Sequence, residues 1–211
     1  MAEGPDISPI LNLLEDARDA GRCAEAAAAL RVLSQLRPEN LQVKAALARA
    51  LFGAGLWQEA WDAYEVRFDL MPEVFTKVTR PGPNGPEAMP IWRGGALPES
   101  LLVMGEQGLG DTIQFARFLP MLRARGVRVH AVLDPRVMKL LAPVLEGIDA
   151  RPGGEAGRIH GVKAWLPLLN LPRALGLRPQ YYQGRIPYLA AEPERVARWR
   201  QRWACAGSSV S

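Results

Sequence analysis

Apolar positions over residues 7–72 follow a helical period. Ile10, Leu13, Leu14 and Ala17 predict one helix that ends at Gly21, and Ala26, Leu30, Leu33 and Leu36 predict a second that stops at Pro38. The plan then repeats. Ala45, Leu47, Ala48 and Leu51 lead to Gly55, and Trp57, Ala60, Tyr64 and Phe68 lead to Pro72. Gly21 and Gly55, Ala26 and Ala60, and Pro38 and Pro72 each recur 34 residues apart, a period used by stacked helix–turn–helix units. Ala26 and Ala60 fall where the two helices of a unit cross closely, and a larger side chain would push them apart. Two such units are fewer than the roughly three needed to stand alone, so they are expected to lean on the remainder of the chain.

Residues 73–99 read as a connector. Pro81, Pro83, Pro86, Pro90 and Pro98 argue against regular helix or central strand, and Ile91 and Trp92 are apolar islands suited to pinning the segment to a domain surface. Over residues 100–206 the pattern changes to strands alternating with helices. Leu101 to Met104 is a short, wholly apolar run, as in a strand buried on both faces. Helices are predicted over 112–124, kinked at Pro120, and over 135–145, 168–175 and 193–205. Further strands are predicted over 127–133 and 148–151, with a loop over 153–157 and a tail over 207–211. The expected fold is α + α/β: helical hairpins followed by one Rossmann-like parallel α/β domain.

Candidate chemistry lies in the run Glu106-Gln107-Gly108-Leu109-Gly110-Asp111-Thr112-Ile113-Gln114, between the first strand of the α/β region and its first helix. Ligands of open parallel sheets bind beyond the carboxyl ends of strands. Gly108 and Gly110 let the backbone approach a ligand, and a helix N-terminus favours the ionised form of Asp111. Two readings of Asp111 stand side by side: a base that takes a proton from a hydroxyl, or a plain N-cap completed by Gln114. A P-loop is excluded because Asp111, not Lys, follows Gly110, and a dinucleotide fingerprint fails because Ile113 stands where its third glycine or alanine belongs. Asp134 precedes Pro135 and reads as an N-cap.

Residues 7–72 resemble the tetratricopeptide repeat family, with Cys23 standing where the second copy has Trp57. Tyr64 to Phe68, Met89 to Gly95 and above all Glu106 to Phe118 resemble bacterial proteins that join such repeats to a heptosyltransferase-like (GT-B) glycosyltransferase domain. Pro167 to Pro172 fits more loosely, with Asn170 where Ser is usual and Lys163 where an acid is often found. That resemblance implies that residues 100–206 are the N-terminal, acceptor-side half of a GT-B fold. It implies Asp111 as the catalytic base, an acceptor pocket shaped by Gln107, Gly108, Gly110 and Thr112, and a protein or peptide partner at the repeat groove. It also implies a second, donor-binding domain, without which the chain is expected to be inactive and to bind no nucleotide-sugar. The alternative is a non-catalytic tetratricopeptide interaction scaffold.

Composition narrows the classes further. A net charge of +4 and a basic pI would suit nucleic acid, but the arginines are scattered and no binding motif accompanies them. Cys23 and Cys205 form neither a disulfide framework nor a metal pattern, which suits a reducing compartment. No secretory signal or bilayer-length apolar run is present, so a cytoplasmic protein is expected, with no cofactor and no metal. His130 and His160 read as structural, Tyr181 and Tyr182 as loop anchors, and Trp199 and Trp203, with Val196, as packing against the sheet or a further domain.

Overall fold

A computed structural model of the chain describes residues 6–75, 78–106, 108–153, 159, 161–178 and 187–207. Helices α1 (Ser8–Asp19), α2 (Cys23–Leu36), α3 (Leu41–Gly53) and α4 (Trp57–Ala63) open it, each packed against the next. The 34-residue interval has a backbone cause. Gly21 and Gly55 adopt φ of +80° and +74°, a conformation that a Cβ would strain. Each closes a helix in the same way. The Gly21 and Arg22 amides donate to Arg18 and Ala17, and the Gly55 and Leu56 amides donate to Phe52 and Leu51. Ala26 and Ala60 are fully buried. Asn40 caps α3 by accepting from the Val43 amide at 3.0 Å, so Asn40→Ala is expected to cost about 1 kcal/mol in denaturant melts.

The faces differ in detail from the pattern. In α1, Ile7, Leu11 and Leu14 pack inward while Ile10 and Leu13 are 49% and 67% exposed. In α3 the buried set includes Val43, Ala46, Ala50 and Leu51, with Leu47 only half-buried. Among the described residues α1 packs mainly against α2 and α3, so a wide apolar stripe overpredicts its contact face. The second helix pair departs from the first after Ala63. A 3₁₀ turn (Tyr64–Val66), α5 (Arg67–Leu70) and α6 (Pro72–Phe75) replace a continuous helix. That change of pitch matters for the site below.

The connector forms regular structure after all. β1 (Thr79–Gly82) and β2 (Gly85–Ala88) make a two-stranded antiparallel hairpin with Pro81 opposite Pro86. Both strands of a lone hairpin are edges, where the missing proline N–H costs no ladder bond. Ile91 then bridges Trp165, the Trp92 amide donates to the Trp165 carbonyl at 2.8 Å, and Trp92 is buried.

Four parallel strands come next: β3 (Ser100–Met104), β4 (Arg128–Leu133), β5 (Asp149–Pro152) and β6 (Trp165–Pro167), in spatial order β5-β4-β3-β6. β6 is not expected from the sequence, since three residues ending in proline leave almost no pattern. The helix expected over 112–124 is two helices, α7 (Leu109–Ala116) and α8 (Leu119–Ala124), with Pro120 in the first turn of α8. α9 (Pro135–Leu141), α10 (Leu171–Ala174) and α11 (Pro193–Gly207) complete the fold.

One core joins the helical region to the sheet. Trp61 meets Phe115 of α7 edge-to-face at 5.6 Å and is buried among Leu101, Val103, Phe118 and Leu166. Phe52 and Tyr64 pack on the same side. No helix among the described residues is long and apolar enough to cross a membrane.

Candidate functional site

The sheet order reverses at β3: the chain runs outward through β4 and β5, then returns to place β6 on the other side of β3. Beyond the carboxyl ends of β3 and β6 is therefore the switch point where open α/β sheets offer a crevice. Two segments meet there, Gly105 to Asp111 after β3 and Leu168 to Asn170 after β6.

A side chain from the helical region reaches that end of the sheet. The guanidinium of Arg67 donates from Nε to Glu106 Oε2 at 3.0 Å and from Nη2 to Glu106 Oε1 at 2.9 Å, a two-point grip. The two side chains are only 5% and 3% exposed. Arg67 also donates to the side-chain carbonyl of Asn170 and to the Tyr64 carbonyl, and its charged carbon lies 4.6, 4.7 and 5.5 Å from the rings of Tyr64, Phe68 and Phe75. Glu106 Oε1 accepts a further bond from the Leu169 amide at 3.1 Å. Buried charge of both signs is thus paired and hydrogen-bonded, which is the condition for keeping it there.

The network continues outward. The buried Asn170 amide donates to Glu65, and Glu65 pairs with Arg93. Arg173 lies 3.8 Å from Glu65 and donates to Asp62 at 2.8 Å. Lys44, Asp62, Glu65, Phe68, Asp69 and Arg93 line a groove of about 400 Å³ between the helices and this network.

Asp111 stands on the first turn of α7, past the end of β3. Gly108, in extended conformation, is the N-cap of α7, so Asp111 is its third residue and not its cap. Asp111 is half-buried, and among the described residues its carboxylate takes part in no hydrogen bond or ion pair. A Cβ on Gly108 would lie 3.6 Å from an Asp111 carboxylate oxygen, so a side chain there would sit against the carboxylate. Gly110 faces open space. Thr112 is buried, and its hydroxyl donates to the Gly108 carbonyl at 3.2 Å, which makes it a brace for the turn. Gln107 lies outside the described residues, as do His160, Tyr181, Tyr182 and the side chain of Cys205.

Other residues of interest lie elsewhere. Asp134 caps α9, accepting from the Arg136 amide at 2.9 Å, and the Arg136 side chain holds its carboxyl down to about 2. The bound carboxylate therefore favours the folded chain above the ordinary carboxylate range, and that contribution fades as pH falls towards 2. An NMR titration of Asp134 is expected to show its midpoint near pH 2, well below a free aspartate. His130 sits opposite Asp149 on β5 at 2.9 Å; Arg151 first, and His130 second, hold the Asp149 carboxyl below its usual range. Tyr188 donates its hydroxyl to the Ile113 carbonyl and so fastens the segment before α11 to α7. Trp199 and Trp203 do not pack on the sheet. They are 51% and 76% exposed and, with Val196, Leu140 and Pro143, line a groove of about 810 Å³ beside α9.

Residue types alone would not have paired Arg67 with Glu106, because 39 residues separate them. A hint was present: Arg67 falls three residues after Tyr64 and seven after Ala60, on the predicted apolar face, where a charge demands a partner.

Comparison with protein-family models finds no match. The chain is 29% identical to protein FlbA of Caulobacter vibrioides over 198 residues, covering 84% of this chain and 31% of FlbA. It therefore spans about a third of that relative's length. The crystal structure of the iron-containing dodecameric glycosyltransferase TibC from enterotoxigenic E. coli aligns with 47% of this chain and 30% of TibC. At 14% identity and a TM-score of 0.33 that likeness is too slight to carry an argument.

Proposed function

We propose that residues 100–206 form the acceptor-side half of a heptosyltransferase-like glycosyltransferase and that Asp111 is its base. In this reading the helical pairs are tetratricopeptide units that dock a protein or peptide in the groove beside Arg93. The protein works in the cytoplasm.

One observation carries most of the weight. Asp111 lies beyond the carboxyl end of a central strand, on the first turn of α7, only half-buried and not the cap of that helix. A carboxylate so placed keeps its lone pairs for an incoming hydroxyl. Gly108 and Gly110 leave backbone amides approachable beside it. Thr112 acts in this reading by bracing the turn from beneath.

The chemistry assigned is transfer of a hexosyl or heptosyl group from a nucleotide-sugar. The acceptor oxygen gives its proton to the Asp111 carboxylate as it bonds to the anomeric carbon, and the nucleotide leaves with the electron pair of the broken bond. Orientation of the two reactants supplies much of the rate, so a donor-binding lobe must face this one.

The test supplies such a lobe from the same superfamily as a separate chain, with radiolabelled nucleotide-sugar. Transfer that disappears with Asp111→Ala supports the reading. Transfer indifferent to that change removes it and leaves an interaction scaffold as the better description.

A further inference from the structure

We infer that Arg67 is a positioning residue: among the contacts between the helical and α/β regions, its side chain is the one that grips Glu106, and it sets the loop that carries Asp111. The inference deepens the proposed function and rests on it only for what the loop does. The mechanical part stands on contacts alone.

Three observations converge. Arg67 and Glu106 are both almost wholly buried and joined at two points, so the start of the loop is held by a residue outside the sheet. Glu106 in turn accepts from the Leu169 amide, and Arg67 donates to Asn170, so the loops after β3 and β6 are drawn together by one guanidinium. Five residues beyond Glu106, Asp111 follows an N-cap glycine whose carbonyl receives both the amide and the hydroxyl of Thr112. The loop is thus braced at both ends: Arg67 grips Glu106 at its start, and Thr112 ties Gly108 to the first turn of α7.

The outer end of the network gives the device a handle. Asn170 donates to Glu65, and Glu65 lines the groove beside Arg93. Whatever draws Glu65 away from Asn170 loosens one of the contacts that seat Arg67. A planar fork suits this duty better than a lysine, whose three donors share one nitrogen and do not match the parallel two-nitrogen grip on the carboxylate.

Amide hydrogen exchange, read residue by residue by NMR on the full chain, tests the idea. The reporters are the Leu169 amide, bonded directly to Glu106, and the Thr112 amide, bonded to Gly108. In Arg67→Lys both are expected to exchange at least tenfold faster, while amides of β4 and of α3 keep their wild-type rates. Glu65→Gln, a milder change at the handle, is expected to speed the same two amides by about threefold; it also serves if Arg67→Lys fails to fold. Unchanged reporters in Glu65→Gln and in a folded Arg67→Lys overturn the inference. So does a uniform rise across α3, β4 and both reporters, which marks Arg67 as a general stabiliser. Because exchange is read without any transfer reaction, a failure here leaves the role of Asp111 standing, and a failure of Asp111 leaves this intact.

Discussion

Arg67→Met is expected to destabilise the chain by about 3–5 kcal/mol, because it strands the Glu106 carboxylate in a site where it is 3% exposed. For a chain of this size that corresponds to a fall in Tm of roughly 10 °C. The sign of the companion change is the sharper expectation. Removing both charges, as Arg67→Met with Glu106→Leu, is expected to recover most of the loss, since an apolar pair in a closed site is often as stable as an ion pair. The Arg67 stem already lies among Tyr64, Phe68 and Phe75, so methionine has apolar neighbours to fill against. A double variant as unstable as the single one would mean that Asn170 and the Leu169 amide, left without Arg67 and Glu106, dominate the cost. Thermal melts of the three proteins decide this.

The second large effect is chemical. Asp111→Asn is expected to lower transfer by about 10²–10⁴-fold in a system supplied with a donor-binding lobe, the range for losing a positioned base. Stability should change little. Asp111 lies in the first turn of α7 without a capping bond, so the fold loses only its interaction with the helix dipole, about 0.3–1 kcal/mol. The contrast with Arg67 separates the two roles. In the proposed function, Arg67 serves the fold around the site and Asp111 serves only the chemistry in it.

Much of this architecture is legible in the chain because it rests on short-range rules. The glycine ends of α1 and α3, the apolar run of β3 and the Asp134 cap each express a local constraint on φ, burial or an orphan amide. Local rules also mislead. Asp111 followed by Gln114 looks like a cap, yet α7 starts earlier at Gly108, which caps without a side chain. The prolines of residues 79–88 argue against helix and central strand and leave open what forms instead, which is a hairpin with two free edges. β6 is hidden for a different reason: three residues pair with β3 because the sheet and Ile91 are already there to receive them.

The partners in the contacts between regions are not legible. Arg67 with Glu106, Trp61 with Phe115, and Asn170 with Glu65 are 39, 54 and 105 residues apart, and no periodicity marks such pairs. They depend on the break after Ala63, where the second helix pair abandons the course of the first and turns Arg67 towards the sheet. The repeat therefore gives the helical region its shape, and the departure from the repeat connects it to the candidate site.

The most direct measurement is the single-turnover rate of sugar transfer for wild type and Asp111→Asn, in proteins matched for thermal stability and mixed with the same donor-binding lobe. A base at Asp111 predicts a loss of at least about a hundredfold in that rate with the fold intact. Equal rates in the two proteins would contradict it and return Asp111 to the surface of a binding module.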